Sequence, residues 1–228
     1  RRIFGGVARA WAVSRGRIDA AVPEEGSIAA LNHDGEGVVR GAKTVFVAGA
    51  LPGERVRYAR VRKHRAYDEA KLLQILEPAP DRVVPKCAHF GVCGGCALQH
   101  LAPEAQLAAK QRELADNLSR IGKVSPARWL PPVTGPVWGY RRRARLGVKY
   151  VLKRGEVLVG FRERGKPYIA ALERCEILAP PVDALIAPLK AMIGALAARD
   201  RIAQIEVAVA DTATVLVLRN LDPLGAAM

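Results

Sequence analysis

The amino-acid sequence predicts a β-rich α+β protein of several small domains, with a small β-barrel first. Half of the 228 residues are apolar, which is enough to bury real cores and excludes a disordered tail protein. Only 5% are aromatic, whereas 15 Pro and 21 Gly indicate many short elements joined by turns. No apolar run in the sequence approaches the about 20 residues that a membrane-spanning helix needs.

Short strands follow one another in residues 18–78, the range of the predicted barrel. Turns rich in Asn, Asp, Gly and Pro separate them. Five short strands in about sixty residues are typical of an OB-like barrel. Before it, residues 1–17 contain five Arg and no acid and are predicted to be a flexible basic tail. The predicted strands are 27–31, 38–39, 44–47, 56–62 and 70–76.

The remainder is predicted to mix helices and strands. Pro78, Pro80 and Pro85 form a stiff linker, and the cysteine cluster follows in the predicted iron–sulfur loop at 79–102. A helical segment at 103–122 opens at a proline and stops at a glycine. Residues 123–228 are predicted to form a central α+β domain. Its predicted strands are 138–152, 156–163, 167–172, 203–209 and 213–219, with a helix at about 181–199 that is interrupted or bent at Pro188.

The net charge of +14 comes mainly from two short windows. Residues 141–166 hold ten Lys or Arg against two acids, and residues 54–71 hold seven against three. Randomly placed solubilising charge would mix the two signs more evenly. This concentration predicts surfaces that bind a polyanion, with nucleic acid favoured over anionic lipid.

Alternation along the predicted strand at 138–152 separates cations from apolar residues. Its apolar face includes Leu146 and Val148, and Arg142 lies among those residues, where we expect it to pair with a buried carboxylate or carbonyl. The barrel offers a second basic set, and Phe46 either stacks a base or, as is more common for a lone Phe between valines, belongs to the core. The residues predicted to contact RNA phosphates are Arg141, Arg143, Arg145 and Lys149 on the strand, and Arg60, Arg62, Lys63 and Arg65 on the barrel.

The four cysteines form a three-plus-one pattern. Cys87, Cys93 and Cys96 are close in sequence, with Gly94-Gly95 between the last two, and Cys175 lies far along the chain. Two disulfides are possible in principle, but structural disulfides are rare in a cytosolic protein. Metal ligation is favoured, and the spacing favours an iron–sulfur cluster modestly over zinc, because paired C-x2-C knuckles are absent from the sequence. The zinc alternative takes its fourth ligand from His89 or His100; otherwise both histidines are expected to form hydrogen bonds beside the ligands.

Four stretches of the sequence resemble one known family. The run Cys87–His100, CAHFGVCGGCALQH, closely resembles the cluster motif of the bacterial 23S rRNA uracil-C5 methyltransferases of the RumA and TrmA type. Trp138–Leu146 and Cys175–Pro180 are similar to the same family, and Gly37–Glu54 looks like its N-terminal TRAM domain, an OB-like RNA-binding barrel. The resemblance extends over essentially all of residues 18–225.

The resemblance implies a cofactor, a substrate and a partner. It implies that Cys87, Cys93, Cys96 and Cys175 are the ligands of a [4Fe-4S] cluster. It also implies that the complete enzyme extrudes a uracil from a structured loop of 23S ribosomal RNA and methylates it from S-adenosylmethionine. We expect a cytoplasmic monomer without membrane contact.

The sequence departs from the family in its length. The family continues into a C-terminal Rossmann-like domain that binds S-adenosylmethionine and carries the nucleophilic cysteine. Neither a Gly-rich nucleotide-binding turn nor a cysteine beyond the four ligands is found in this sequence. We therefore expect no catalytic residue and no S-adenosylmethionine site in this chain, which alone would be inactive, and we expect the helix at 103–122 to pack on the missing domain. The alternative is a non-catalytic RNA-binding adaptor with a structural metal.

Overall fold

The computed structural model describes residues 22–223, which divide into two compact units. The first unit contains residues 22–85 and 97–131, and the second contains residues 86–96 and 132–223. The predicted basic tail at 1–17 lies outside the described residues. Neither of the two α-helices in the described part is long and apolar enough to cross a membrane.

A closed five-stranded barrel forms the core of the first unit, as the sequence predicts. Its strand order is β1-β2-β3-β5-β4, and only the β3–β5 pair among these neighbours is parallel. Inward side chains such as Ile28, Val45 and Val56 fill its interior. The strands are β1 Glu24–Leu31, β2 Gly37–Val39, β3 Thr44–Ala48, β4 Arg55–Lys63 and β5 Tyr67–Glu77.

Phe46 lies on the outside of the barrel. Its neighbours Val45 and Val47 are almost completely buried in the core, and alternation along β3 therefore turns Phe46 outward. There its ring lies 5.1 Å from the ring of Tyr67, which also stacks on His64 at 4.4 Å. The expectation that Phe46 belongs to the core is wrong, because the two valines already occupy that side of the strand.

A buried ion pair ties the barrel to the segment that follows β5. The Glu54 carboxylate has no exposed surface and accepts hydrogen bonds from Nε and Nη2 of Arg82, at 2.5 and 2.9 Å. It also accepts from the backbone N–H groups of Leu51 and Ala79, at 2.8 and 3.3 Å. Both oxygens are thus satisfied, which a buried carboxylate requires.

The helix α1, Pro103–Arg120, begins at the proline that predicts it. None of its residues is fully buried. Ala105 and Ala109 pack against a small cluster of Leu51, Ala79 and Leu101. The proposal that this helix also packs on a domain outside the chain stays a prediction.

A four-stranded antiparallel sheet forms the second unit, in the order β7-β6-β8-β9. The helix α2, Ile186–Ala195, packs Ile186, Leu189 and Ile193 into the core that the sheet's inner face supplies. The helix predicted at about 181–199 is divided into a 3-10 turn at Val182–Ala184 and α2, and Pro188 lies in the first turn of α2, where backbone N–H groups have no helical partner. The proline therefore does not bend α2, and the interruption lies just before this helix. The strands are β6 Arg143–Val151, β7 Glu156–Gly160, β8 Ile202–Val209 and β9 Thr214–Asn220.

The strand predicted at 167–172 does not form. Residues 162 and 169 make only an isolated bridge, and the segment folds back on the end of β7. A Cβ on Gly147 would lie 2.3 Å from Cδ1 of Ile169, and one on Gly160 would lie 2.4 Å from the carbonyl oxygen of Ala170. Residues 169–170 therefore cross directly over Gly147 and Gly160. In that position the segment lies over the sheet and does not extend it as a further strand.

Breaking the buried ion pair should destabilise the first unit. Glu54→Gln removes the only carboxylate bound to Arg82 among the described residues, and we expect a loss of about 3 kcal/mol in the free energy of unfolding. Denaturant titration followed by circular dichroism measures it. The exposed Glu25, which pairs with Arg55 and Arg57, offers the control: Glu25→Gln should leave the midpoint nearly unchanged. Equal effects of the two variants would contradict the importance of burial.

Candidate cysteine cluster and basic sheet face

All four cysteines belong to the second unit and carry free thiols. Cys93 and Cys175 are buried, and Cys87 and Cys96 are half-buried. The disulfide alternative is therefore not realised. Cys93, Cys96 and Cys175 all contact the core cluster of this unit, so residues that are distant in sequence meet in one apolar environment.

Two glycines let the cysteine loop lie against the turn after β7. The N–H of Gly94 donates to the carbonyl oxygen of Arg162 at 2.8 Å, and the N–H of Arg164 donates back to Val92 at 2.9 Å. A Cβ on Gly94 would lie 3.0 Å from that same carbonyl oxygen, and one on Gly95 would lie 3.1 Å from the ring of Phe161. Gly94 and Gly95 are thus needed for this close approach.

His89 connects the loop to the segment that carries Cys175. Its Nε2 accepts a hydrogen bond from the backbone N–H of Glu173 at 3.1 Å. Because Nε2 must be unprotonated to accept, the bond requires the neutral ring, and burial lowers the pKa of His89 in the same direction. The hydrogen-bonding role predicted for His89 is confirmed. His100 is buried in the first unit, where its carbonyl oxygen accepts from Val83.

Backbone N–H groups point at three of the four sulfur atoms. His89 and Phe90 donate to Cys87, Gly95 donates to Cys93, and Ile177 and Leu178 donate to Cys175. Such bonds stabilise a thiolate and are typical of sulfur ligands.

Burial works against ionisation of the same thiols. It raises the pKa of Cys93 to about 11 and raises those of Cys87 and Cys175 as well. The nearby thiols add to each increase, because several negative charges would share one apolar site. Thiolates here need a positive partner.

An all-sulfur donor set with backbone N–H donors fits a soft metal or an iron–sulfur centre in its chemistry. The side chains do not, however, have the geometry of an assembled site. Within residues 22–223, no group of three or more Cys, His, Asp or Glu side chains is arranged to hold a metal ion. The four thiols are gathered in one region without closed coordination geometry.

The cationic residues of β6 lie on the exposed face of the sheet. Arg143, Arg145 and Lys149 are exposed, whereas Leu146 and Val148 on the other face are buried. The alternation predicted from the sequence is therefore present.

Arg141 and Arg142 lie before β6 and depart from that alternation. Arg141 pairs through its backbone with residues 177–179, and its guanidinium lies 5.3 Å from the ring centroid of Phe161. Arg142 bonds to the carboxylate of Asp211 at 2.7 Å, but its side chain is 57% exposed. The predicted burial of Arg142 is wrong, because the strand that would turn it inward begins one residue later.

An acidic residue interrupts the cationic face. Glu206 of β8 lies opposite Arg145 in the β6–β8 pairing, with its Oε1 3.8 Å from Nε of Arg145. The two residues border an open groove of about 640 Å³ on the sheet's outer face. Sequence reasoning missed Glu206, since only the strand pairing brings it beside a residue so distant in sequence.

Two curated relatives match most of the chain. It is 55% identical over 199 residues to the 23S rRNA (uracil(1939)-C(5))-methyltransferase RlmD of Bordetella parapertussis, which covers 87% of this chain and 43% of the relative. It is 53% identical over 207 residues to the RlmD of Nitrosococcus oceani, which covers 90% of this chain and 46% of the relative. The chain is therefore similar to part of the RlmD proteins. It spans less than half the length of these relatives.

One solved structure shows the same fold as this chain. The crystal structure of Pyrococcus abyssi tRNA (uracil-54, C5)-methyltransferase in complex with S-adenosyl-L-homocysteine aligns with a TM-score of 0.59 and 24% identity. The alignment covers 85% of this chain and 44% of that chain. No family model matches the sequence.

The basic residues of the barrel differ in whether acidic side chains already pair with them. Arg60 bonds Glu24 with two nitrogens at 2.7 and 2.9 Å and also bonds Asp68. Hydrogen bonds from Lys43 and Arg60 lower the pKa of Asp68 to about 2, so this network is fully charged at neutral pH. The remaining three of the predicted set, Arg62, Lys63 and Arg65, are exposed.

Removing the His89 ring should loosen the link to the Cys175 segment. We expect His89→Ala to cost about 1 kcal/mol of unfolding free energy, because the N–H of Glu173 loses its acceptor. Urea unfolding measures the change. The exposed His33 provides the control, since its ring pairs only with the exposed Asp34 among the described residues and His33→Ala should leave stability nearly unchanged. Unchanged stability of His89→Ala would contradict a stabilising role for the hydrogen bond between Glu173 and His89.

Proposed function

We propose that this chain is the RNA-binding, [4Fe-4S]-bearing portion of an S-adenosylmethionine-dependent 23S rRNA uracil-C5 methyltransferase. The observation that carries the proposal is the gathering of four free thiols in one unit of a chain closely related to RlmD proteins. The barrel corresponds in this proposal to a TRAM domain. The substrate is 23S ribosomal RNA, which places the protein in the cytoplasm, and we propose that it acts as a monomer.

Cys87, Cys93, Cys96 and Cys175 are the proposed cluster ligands. The N–H donors around three of the sulfurs support thiolate ligation. Because burial raises the pKa of these thiols, their thiolate forms require a cationic centre to stabilise them. By joining the loop at 87–96 to the segment around Cys175, this ligation would cross-link two distant stretches of the chain. The proposed role of the ligands is thus structural.

The basic surfaces would position the RNA rather than carry out the chemistry. Arg143, Arg145 and Lys149 on the sheet, with Arg62, Lys63 and Arg65 on the barrel, are exposed cations suited to phosphate contacts. We leave Arg60 out of this set because two carboxylates already neutralise it. Arg141 is retained, since its guanidinium borders the groove beside Phe161.

Methyl transfer to uracil C5 needs a thiolate that adds to C6, and S-adenosylmethionine supplies the methyl group when it is bound. The four thiols of this chain are committed to the proposed cluster. We therefore place the nucleophile and the S-adenosylmethionine site outside this chain, and we propose that the chain alone holds RNA without methylating it.

The phosphate role of the sheet face predicts a change in salt dependence. Replacing Arg143 and Arg145 together by Ala should lower the slope of log K against log salt by about 1.4, since each contact to single-stranded RNA contributes about 0.7. Fluorescence anisotropy with fragments of 23S rRNA across a salt series measures it. Binding should weaken on all fragments alike, because phosphate contacts carry no sequence information.

Arg201→Ala is the matched control for this experiment. Arg201 is a surface arginine of the same unit whose guanidinium is already paired with Asp222. Its replacement should leave the slope unchanged. A parental slope in the Arg143 and Arg145 double variant, or absence of RNA binding by the parent chain, would contradict the proposed function.

A further inference from the structure

The groove on the outer face of the sheet has an apolar floor. Ala208 of β8 and Val215 and Val217 of β9 supply it. In the β8–β9 pairing, Ala208 lies opposite Val215 and Glu206 lies opposite Val217. Val215 and Val217 are each 54% exposed, while the alternate residues Leu216 and Leu218 pack on the core. An exposed apolar strip of this kind within a cationic surface is a candidate contact for a flat, partly apolar group.

Cations and an aromatic ring border this floor. Arg143 and Arg145 lie along its β6 side, and Phe161 lines the groove with the guanidinium of Arg141 over its ring. The positive charge fits a phosphodiester backbone, and the valines and the ring fit the face of a base. The combination favours a nucleotide of single-stranded RNA whose base is unstacked from its neighbours.

The Glu206 carboxylate gives the groove a hydrogen-bond acceptor that can distinguish one base from another. Its Oε1 accepts from Nε2 of Gln204 at 2.9 Å and lies near Arg145. No hydrogen bond to its Oε2 is found among the described residues, so this oxygen can accept one from a ligand. An ionised carboxylate only accepts hydrogen bonds, so it favours the exocyclic amine of cytosine. In uracil, the N3–H group is flanked by two carbonyl oxygens, which a carboxylate repels.

We propose that this groove binds one extruded base that carries an exocyclic amine, with cytosine preferred, and that Glu206 determines this specificity. The inference rests on the proposed function, because it assumes that the sheet face meets RNA. It adds a base-reading site, distinct from the phosphate contacts, on residues of β6, β8 and β9.

Three eight-nucleotide RNAs test the proposal by fluorescence anisotropy. One is all uridine, the second carries a single central cytidine, and the third carries at that place the 2-pyrimidinone nucleoside, which lacks the amine. The parent chain should bind the cytidine oligonucleotide about fivefold more tightly than either of the others. Glu206→Ala should bind all three alike, because the acceptor for the amine is gone.

Glu156→Ala is the matched control. Glu156 lies at the start of β7, is 42% exposed against 44% for Glu206, and also pairs with an arginine, Arg154. Its loss removes the same charge from the same unit, so it should preserve the fivefold preference. Melting temperatures of both variants verify that they fold.

The other possible outcomes distinguish failure of this proposal from failure of the proposed function. Equal binding of all three RNAs by the parent, or a uniform gain for Glu206→Ala that keeps the preference, would overturn the base-reading role while leaving RNA binding intact. Absence of binding to every RNA would instead overturn the proposed function. A concentration-dependent dimer of the parent that Val217→Arg dissociates would assign the groove to a second copy of the chain and overturn the proposal.

Discussion

The arrangement of the second unit depends on bringing Cys175 to the loop that carries the other three cysteines. Hydrogen bonds between this loop and residues 162–164 hold one side, and the bond between His89 and Glu173 holds the other. Phe161, at the end of β7, packs against Gly95, lies under the guanidinium of Arg141 and lines the groove of the sheet. The cysteine loop and the basic face are therefore parts of one packed arrangement, in which the position of one constrains the other.

The sequence predicted those features that local patterns determine. The barrel strands, the proline that starts α1 and the alternation of Arg143, Arg145 and Leu146 all follow from neighbours a few residues apart. The features that the sequence did not predict depend on contacts between residues far apart in the chain. Glu206 meets Arg145 only through the β6–β8 register, and residues 167–172 fail as a strand because they cross Gly147.

Net charge along the sequence overstated the free charge of the barrel. The window at 54–71 contains an excess of cations, yet β1 pairs with β4 and brings Glu24 and Glu25 against Arg55, Arg57 and Arg60. These acids lie outside the window that shows the excess. Binding capacity consequently depends on which cations the fold leaves unpaired, and within this window Lys63 and Arg65, at and beyond the end of β4, are exposed and have no acidic partner among the described residues.

Iron and acid-labile sulfide analysis of the anaerobically purified chain tests the central claim most directly. The gathered thiols predict about four iron atoms and about four sulfides per chain, with a visible absorption band that fades in air. Cys175→Ser should contain less iron and less sulfide than the parent chain, since the remote ligand would be lost. Stoichiometric zinc without sulfide would contradict the account.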